Sequence, residues 1–317
     1  MKIFFKLFPF IYIINIFVYK RSLSSTLTEF LIRTLKLSIK FNGNKEDALN
    51  RINQAHYSPY GKEKIPFIIK KITNVQSITL ENCPCLVISK QNNYRNIIFY
   101  IHGGGYIKGI GIFQLIMLYR ISKITDSMVL IPKYPLIPNT HEKSYKVLLD
   151  LYKYILHNYK NHCVVLMGDS AGGGLSLGLA EELKYNKLNQ PCKLILLSPY
   201  VDISFPDKKM KHYEKLDPML SLDEAKVLGD YWSGKVRGDH YRISPINGVL
   251  DHLKDVYIFV GDREIMYPDN IRLFEKLTDN NIAVKLFVGK GQNHVYPAIP
   301  NLEGTMAIWQ IAEIIKN

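Results

Sequence analysis

Short apolar segments alternate with helical segments along most of this chain, and that alternation restricts the fold more than any other feature. The apolar segments are typical of buried strands, and the stretches between them are long enough for helices. Such alternation predicts an α/β fold with a mostly parallel sheet and helices on both faces. The predicted strands are Asn96–Ile101, Ser127–Pro132, Cys163–Met167, Lys193–Leu197, Val256–Val260 and Val284–Val288. The predicted helices are Leu115–Ile124, Tyr145–Tyr159, Gly174–Tyr185, Asn270–Asp279 and Ala307–Ile315.

The first third of the chain and one internal segment depart from that pattern. Two helices are predicted at Ser25–Lys40 and Lys45–His56, followed by short strands at Ile68-Ile69, Val75–Leu80 and Leu86–Ser89. The segment Phe205–His240 has mixed charge and no strand pattern, which indicates a helical insertion. A length of 317 residues suits one large domain or at most two. We therefore expect an N-terminal part over residues 1–60 and a main domain over residues 61–317, with an insertion at about residues 205–240.

The sequence Gly168-Asp169-Ser170-Ala171-Gly172 directly follows one predicted strand and precedes a predicted helix. It fits the pattern G-x-S-x-G, which in this strand–turn–helix context marks a nucleophilic serine. The flanking glycines allow a sharp turn that a Cβ atom would obstruct. The positive end of the following helix then lies behind the serine hydroxyl. The pattern predicts Ser170 as a nucleophile.

A second glycine-rich segment, His102-Gly103-Gly104-Gly105, follows the strand Asn96–Ile101. Its backbone N–H groups can approach a substrate closely and stabilise a developing negative charge, as an oxyanion hole does. A phosphate-binding loop would need a Lys-Ser/Thr end or G-x-G-x-x-G spacing, and neither is present here. We expect Gly104, Gly105 and the N–H of Ala171 to be the oxyanion donors. We expect His102 to orient this loop rather than to act as a base.

A serine nucleophile needs a base, and the base needs an acid that orients it. Of nine histidines, His294 lies in the loop after the last predicted strand, on the sheet edge expected to hold Ser170. The acid should follow the preceding strand, where the loop offers Asp262, Glu264 and Asp269. Asp269 precedes a predicted helix and suits its N-cap, whereas Asp262 can hold the turn.

These motifs resemble those of the hormone-sensitive-lipase-like esterase family of the α/β-hydrolase fold. HGGG at 102–105 and GDSAG at 168–172 are similar to that family's two hallmark motifs. Tyr134–Pro138 is similar to its Y-R-L-A-P segment and Leu197–Ser204 to its L-S-P-W-x-D-x-S segment, with Pro135 and Tyr200 as departures. The family acid occurs as G-x-x-[D/E] with a second acid some five positions later. The resemblance thus assigns the role of the acid to Glu264. It covers the chain from about Ile97 to the C-terminus, and it implies a helical cap over the site.

The resemblance implies a serine carboxylesterase or lipase with a Ser170–His294–Glu264 triad and a small-molecule ester substrate. The reaction proceeds through an acyl-enzyme and needs no metal or cofactor. An amidase, such as an arylformamidase, would use the same triad. A non-catalytic ligand-binding member of the fold usually lacks a triad residue, whereas this chain keeps all three.

The chain carries 41 lysines and arginines against 28 acidic residues, a formal net charge of +13. The basic residues are scattered, without a run typical of a nucleic-acid-binding arm, so we expect no nucleic-acid partner. The excess reflects either compositional drift or an anionic surface partner. The oligomeric state is left open.

The segment Ile3–Tyr19 is almost wholly apolar but contains Lys6, Pro9 and Asn15. Its length lies at the lower limit for a spanning helix. Three interpretations stay open: a membrane anchor or interfacial helix, a helix that covers a binding cleft, and a cleaved signal peptide. The Lys20-Arg21 pair disfavours the signal peptide. A membrane-associated or cytoplasmic location is therefore favoured over secretion.

The four cysteines, Cys83, Cys85, Cys163 and Cys192, are too few for a disulfide scaffold. The one-residue spacing of Cys83 and Cys85 is not the usual zinc or redox spacing. We expect all four to be structural.

Overall fold

All predicted strands except Ile68-Ile69 form one eight-stranded sheet in a computed structural model that describes residues 20–34, 45–55, 65–89 and 94–317. The strand order is β1-β2-β4-β3-β5-β6-β7-β8. β2 runs antiparallel to β1 and β4, and the remaining neighbours pair in parallel, so the predicted mostly parallel sheet is confirmed. The strands are β1 Val75–Leu80, β2 Cys83–Ile88, β3 Asn96–Ile101, β4 Met128–Pro132, β5 Cys163–Asp169, β6 Lys193–Leu197, β7 Val256–Gly261 and β8 Val284–Gly289.

Ten α-helices lie within the described ranges. They are α1 Leu23–Thr34, α2 Lys45–Ala55, α3 Phe67–Thr73, α4 Ile112–Thr125, α5 His141–Asn158, α6 Ser170–Tyr185, α7 Met210–Leu216, α8 Leu222–Ser233, α9 Tyr267–Asp279 and α10 Leu302–Lys316. Every helix predicted from residue 96 onward is present, and each begins a few residues earlier than predicted. Helix ends carry few periodic apolar residues, so the hydrophobic pattern locates them poorly.

The central strands are buried on both faces because helices cover the sheet from both sides. In β3, Ile97, Phe99 and Ile101 belong to one apolar cluster, whereas Ile98 and Tyr100 belong to a second. Successive side chains of a strand point to opposite faces, which accounts for this division. Because β3 is buried on both faces of the sheet, successive residues along it must be apolar, as its sequence shows.

One predicted strand is wrong, since Ile68-Ile69 lies inside helix α3. Ile69 packs against the core and Thr73 is buried, whereas Phe67, Ile68 and Ile72 are exposed. Inward-facing residues four apart give a helical period, and the preceding Pro66 suits a helix start. A short apolar run does not by itself distinguish the two structures.

The N-terminal helices contact both the insertion and the C-terminal loops. Helix α2 packs on α8 of the insertion, where Arg51 and Glu224 form an ion pair of 3.1 Å. Helix α1 begins at Leu23, before the predicted start, because the Ser22 hydroxyl accepts a hydrogen bond from the N–H of Ser25. The hydroxyl of Ser25 instead donates to the side chain of Gln292.

Ile3–Tyr19 lies outside the described residues. Among the helices of residues 20–34, 45–55, 65–89 and 94–317, none combines the length and the apolar character that crossing a bilayer requires.

Replacing Gly172 with alanine should destabilise the fold by about 3 kcal/mol. A Cβ atom at this position would lie 2.1 Å from the carbonyl oxygen of Ile101, which is fixed in the sheet. Urea unfolding monitored by circular dichroism measures the effect. Gly238→Ala is the matched control, because its Cβ would meet only the outer side-chain carbons of Ile203, the nearest at 3.3 Å, and should cost little. Equal stabilities of the two variants would contradict the close packing at Gly172.

Candidate active site

Ser170 lies at the junction between β5 and α6, where the chain turns sharply above the end of the strand. Its φ angle is +51°, in the left-handed region that non-glycine residues seldom adopt. Such strain at a single residue is typical of functional sites that the surrounding structure holds in place. Gly172 permits the turn, because the helix passes against the backbone of Ile101 without space for a side chain. The sequence prediction of a strand–turn–helix around Ser170 is confirmed.

The glycine loop lies directly beside this turn. A Cβ atom on Gly103 would stand 2.9 Å from the Cβ of Ser170, so the two segments are in close contact. Gly104 has a φ of +120°, a conformation that L side chains rarely adopt, which explains the need for glycine there. The structure therefore brings Gly104 and Gly105 to the side of Ser170, as the sequence predicts for oxyanion donors; their role stays a prediction.

Asp169 fixes the glycine loop against the serine. Its buried carboxylate accepts hydrogen bonds from the N–H of Gly103 at 2.8 Å, from the hydroxyl of Tyr100 and from the side chain of Gln114. Burial raises the pKa of Asp169. A carboxylate with this many donors holds its neighbours in one geometry. Asp169 thus positions the loop, although the pattern G-x-S-x-G allows any residue at this position.

Ala171 contributes the first backbone N–H after the serine. It lies in the first turn of α6, where N–H groups lack partners within the helix and the helix dipole favours negative charge. Its side chain is fully buried. This placement agrees with the predicted third oxyanion donor.

His102 is placed to hold the loop. Its Nδ1 bonds to the carbonyl oxygen of Gly103 at 2.8 Å, and its ring stacks on Tyr134. Burial lowers the pKa of His102 to about 4, so the ring is neutral at pH 7 and Nδ1 donates. These contacts support the expected orienting role.

The buried side chains of His294 and Glu264 form a hydrogen-bonded pair. His294 Nδ1 bonds to Glu264 Oε2. The second carboxylate oxygen of Glu264 accepts from the Ser198 hydroxyl at 2.6 Å and from the N–H of Gly261 at 2.8 Å. Ser198 in turn accepts from the N–H of Val295 at 3.0 Å. The carboxylate is therefore fixed from several directions, and it fixes the tautomer and orientation of the imidazole.

The other two acidic candidates have different partners. Asp262 accepts from the N–H of Gly291 at 2.7 Å and holds the loop that leads to His294. Asp269 lies inside α9, whose N-cap is Met266, so the predicted N-cap is wrong. Pro268 sits in the first turn of that helix and lets it begin earlier than the sequence pattern indicates. Asp269 instead pairs with Arg272 in the next turn.

Three carboxylates act on His294. Burial alone would lower the pKa of this imidazole, but Glu264, Asp217 and Asp169 outweigh it and raise the pKa. Burial in turn raises the pKa of Asp217 to about 6. Asp217 follows α7 of the insertion and accepts from the N–H of Ile265 at 3.1 Å, next to Glu264. The insertion is thereby tied to the loop that carries Glu264.

Residues 198–200 join the serine turn to the histidine and the acid. The N–H of Tyr200 donates to the carbonyl oxygen of Ser170 at 2.9 Å, while Ser198 bridges Glu264 and Val295. Asp169, next to Ser170, is close enough to raise the pKa of His294. The structure thus gathers all three residues of the predicted triad at one end of the sheet.

Sequence reasoning missed the supporting roles of Asp169, Ser198 and Asp217. Asp169 and Ser198 lie in segments that the motifs mark. The available signal was the position of Asp169 next to Ser170 and that of Ser198 directly after β6. Asp217 offers no such signal, because its contact with Ile265 depends on how the insertion folds back.

Comparison with known proteins agrees with this fold. Residues 98–298 match the family described as having the alpha/beta hydrolase fold, and this match covers more than half of the chain. The chain belongs to that family.

Similar proteins carry esterase names. An esterase from Acinetobacter venetianus is 28% identical over 211 residues, which are 65% of this chain and 70% of that protein. Esterase LipU from Mycobacterium tuberculosis is 28% identical over 236 residues, which are 70% of this chain and 78% of that protein. The crystal structure of an esterase from the bacterial hormone-sensitive lipase family has a TM-score of 0.76 at 21% identity, covering 93% of this chain and 98% of that one. This last likeness concerns the fold.

Proposed function

We propose that the protein is a serine carboxylesterase or lipase that hydrolyses carboxylic esters through an acyl-enzyme. The observation that carries the proposal is the Glu264–His294 pair at the same end of the sheet as the strained Ser170 turn and its glycine loop. The esterase names of its relatives support the same reaction class.

In the acylation step the Ser170 hydroxyl attacks the ester carbonyl while His294 takes its proton. Glu264 holds the imidazole so that Nε2 accepts, and its charge stabilises the imidazolium that forms. The N–H groups of Gly104, Gly105 and Ala171 stabilise the oxyanion of the tetrahedral intermediate. His294 then gives its proton to the departing alcohol oxygen.

In the second step a water molecule attacks the acyl-enzyme with His294 as the base. The tetrahedral intermediate collapses, Ser170 leaves with the proton from His294, and the carboxylic acid is released. The chain's own residues supply every proton transfer in this scheme.

We further propose that part of residues 1–60 and the insertion at about residues 205–240 cap the catalytic domain of residues 61–317. Leu228 of α8 lies 3.2 Å from where a Cβ of Gly105 would be. Trp232 of the same helix is fully buried and stacks on Tyr106, with ring centroids 4.2 Å apart. The insertion therefore supplies an apolar and aromatic wall next to the glycine loop, suited to the apolar part of an ester.

The pH profile of kcat/KM should rise on its acid side through a pKa above 6.5. His294 acts as a base only when neutral, and the neighbouring carboxylates raise its pKa above its ordinary value. Activity is therefore lost as the pH falls through this raised pKa. Initial rates between pH 5 and 9 measure it. Asp217→Asn removes one of those carboxylates and should move the acid limb to lower pH. An acid limb at or below the ordinary pKa of an imidazole in the unchanged protein would contradict the assignment of His294.

The reaction class is tested by labelling the full-length protein with a fluorophosphonate probe and measuring turnover of p-nitrophenyl acyl esters. We expect stoichiometric labelling of the peptide that contains Ser170, together with ester hydrolysis. Labelling without ester hydrolysis but with formamide hydrolysis would favour the amidase. Absence of labelling would favour a ligand-binding protein.

We also propose that Ile3–Tyr19 associates with membranes. Its composition supports this, as does the net charge of +13, which favours an anionic lipid surface. Exposed apolar residues follow the segment on α1, namely Leu27, Phe30 and Leu31, and exposed Leu302 at the start of α10 donates its N–H to Ser24.

Binding of the full chain to phosphatidylglycerol–phosphatidylcholine vesicles should fall at least about tenfold when Ile13 and Ile14 are both replaced by aspartate. Two charges in the apolar segment oppose burial in the interface. Vesicle sedimentation measures the effect, and Val249→Asp, at an exposed position in another part of the fold, is the control. Equal binding of all three proteins would refute the role of this segment.

A further inference from the structure

Two cysteines lie side by side where β5 and β6 begin, at the opposite end of the sheet from Ser170. Cys163 is the first residue of β5, and Cys192 directly precedes β6. The N–H of Cys192 donates to the carbonyl oxygen of Val164 at 2.9 Å, and the register pairs Val165 with Lys193. The two cysteines are thus offset by one residue on neighbouring strands.

This offset places the backbones at a distance that a disulfide can span. The spacing of neighbouring strands and the rise of one residue give a Cα–Cα separation of about 5.8 Å. Disulfide-linked residues usually have Cα atoms about 4.4 to 6.8 Å apart. Both cysteines are free thiols, and their side chains interact with each other. The two thiol groups therefore already lie near each other.

The environment favours reaction at Cys192. Its side chain is exposed, whereas Cys163 is partly buried. The thiol of Cys163 lowers the pKa of Cys192 to about 6, with smaller contributions from Val164 and the charge of Lys193. A thiolate is the nucleophilic form of cysteine, so Cys192 is the reactive partner and Cys163 the resolving one.

A buried phenol completes the pair's surroundings. Tyr152 is fully buried, its hydroxyl has no hydrogen-bond partner among the described residues, and it lies within electrostatic range of both sulfur atoms. A buried hydroxyl without a partner is costly, so a new polar atom formed next to it would be stabilised.

The other two cysteines provide an internal comparison. Cys83 and Cys85 also interact with each other, but both are buried within β2. The thiol of Cys85 donates to the carbonyl oxygen of Cys83, and that of Cys83 to the carbonyl oxygen of Lys133. The expectation of structural cysteines fits this pair, because an oxidant in solution does not reach it.

We propose that Cys163 and Cys192 form a reversible dithiol–disulfide site that is oxidised by hydroperoxides. The Cys192 thiolate attacks one oxygen of the hydroperoxide, the O–O bond breaks, and Cys192 becomes a sulfenic acid while the other oxygen leaves as an alcohol or water. Cys163 loses its proton and attacks the sulfur of Cys192, which releases the sulfenic oxygen as water. Two thiols lose two electrons in total, and a dithiol reductant restores them.

The site is independent of the proposed esterase activity. β5 separates it from Ser170, so the bridge should leave ester hydrolysis unchanged within about twofold. The bridge closes the segment from residue 163 to residue 192, which restricts the unfolded chain. We expect the oxidised protein to melt about 5 °C higher than the reduced protein.

The test uses the reduced full-length protein treated with one to two equivalents of hydrogen peroxide, followed by alkylation and peptide mass mapping. We expect a loss of two hydrogen atoms in a cross-linked pair of peptides containing Cys163 and Cys192, reversed by dithiothreitol. Cys83 and Cys85 should remain thiols that alkylate only after unfolding. In Cys163→Ser, dimedone should trap a sulfenic acid on Cys192, whereas Cys85→Ser should behave like the unchanged protein.

Three results would overturn the proposal. They are a rate of Cys192 oxidation equal to that of Cys83, a disulfide that joins two chains or other cysteines, and a Cys163→Ser protein that yields no sulfenic acid on Cys192. If a variant fails to fold, peptide mass mapping of the oxidised unchanged protein still shows which cysteines form the disulfide.

Discussion

Ester hydrolysis should fall about 10⁶-fold when Ser170 is replaced by alanine. The methyl group cannot attack a carbonyl, and no other hydroxyl occupies the turn between β5 and α6 in the described chain. The remaining rate comes from substrate binding and from the glycine loop. Steady-state kcat/KM with p-nitrophenyl butyrate measures the loss.

Ser176→Ala is the matched control for this change. Ser176 lies on the same helix, six residues after Ser170, and its buried hydroxyl donates to the carbonyl oxygen of Gly172 at 2.8 Å. Its loss should affect stability slightly and the rate by less than about tenfold. Unchanged turnover in Ser170→Ala, with a folded protein by circular dichroism, would refute the serine mechanism.

The second large effect is expected for Glu264→Gln, at about 10⁴-fold in kcat. A glutamine can turn its amide N–H₂ towards His294 Nδ1, which forces the proton onto Nε2, where it blocks acceptance of the serine proton. The variant also loses the charge that contributes to the raised pKa of His294, so its acid limb should move to lower pH. Rates of both proteins across the same pH series measure the two effects together.

Asp262→Asn distinguishes the two acidic candidates. Asp262 orders the loop at Gly291 and does not bond to the imidazole, so its loss should reduce kcat by less than about tenfold. A larger loss in Asp262→Asn than in Glu264→Gln would mean that the acid has been misassigned.

The parts of the fold that the sequence predicts are those set by local pattern and by chain order. Buried strands with continuous apolar sequence, and glycines at sharp turns, leave a signal in adjacent residues, so the strands, the Ser170 turn and the glycine loop could be located. Chain order then brings His294 and the Glu264 loop to the same sheet edge.

The features that were missed depend on distant contacts. The segment Ile68-Ile69 is helical, with Ile69 and Thr73 on the face that packs against the core, which a run of apolar residues does not reveal. Asp217 reaches Ile265 across 48 positions, and only the folded insertion brings them together. The choice of Glu264 over Asp262 rested on family resemblance, since both follow the same strand.

The order in which the chain is synthesised determines when the loops of the active site gain their last contacts. Arg21 and Ser25, at the beginning of the described chain, bond to Gly291 and Gln292, and Ser22 bonds to Glu303. A nascent chain lacks these partners until residues 291–303 have left the ribosome. Helix α1 can therefore dock fully only after those residues have emerged, and the loops beside Glu264 and His294 gain this support late.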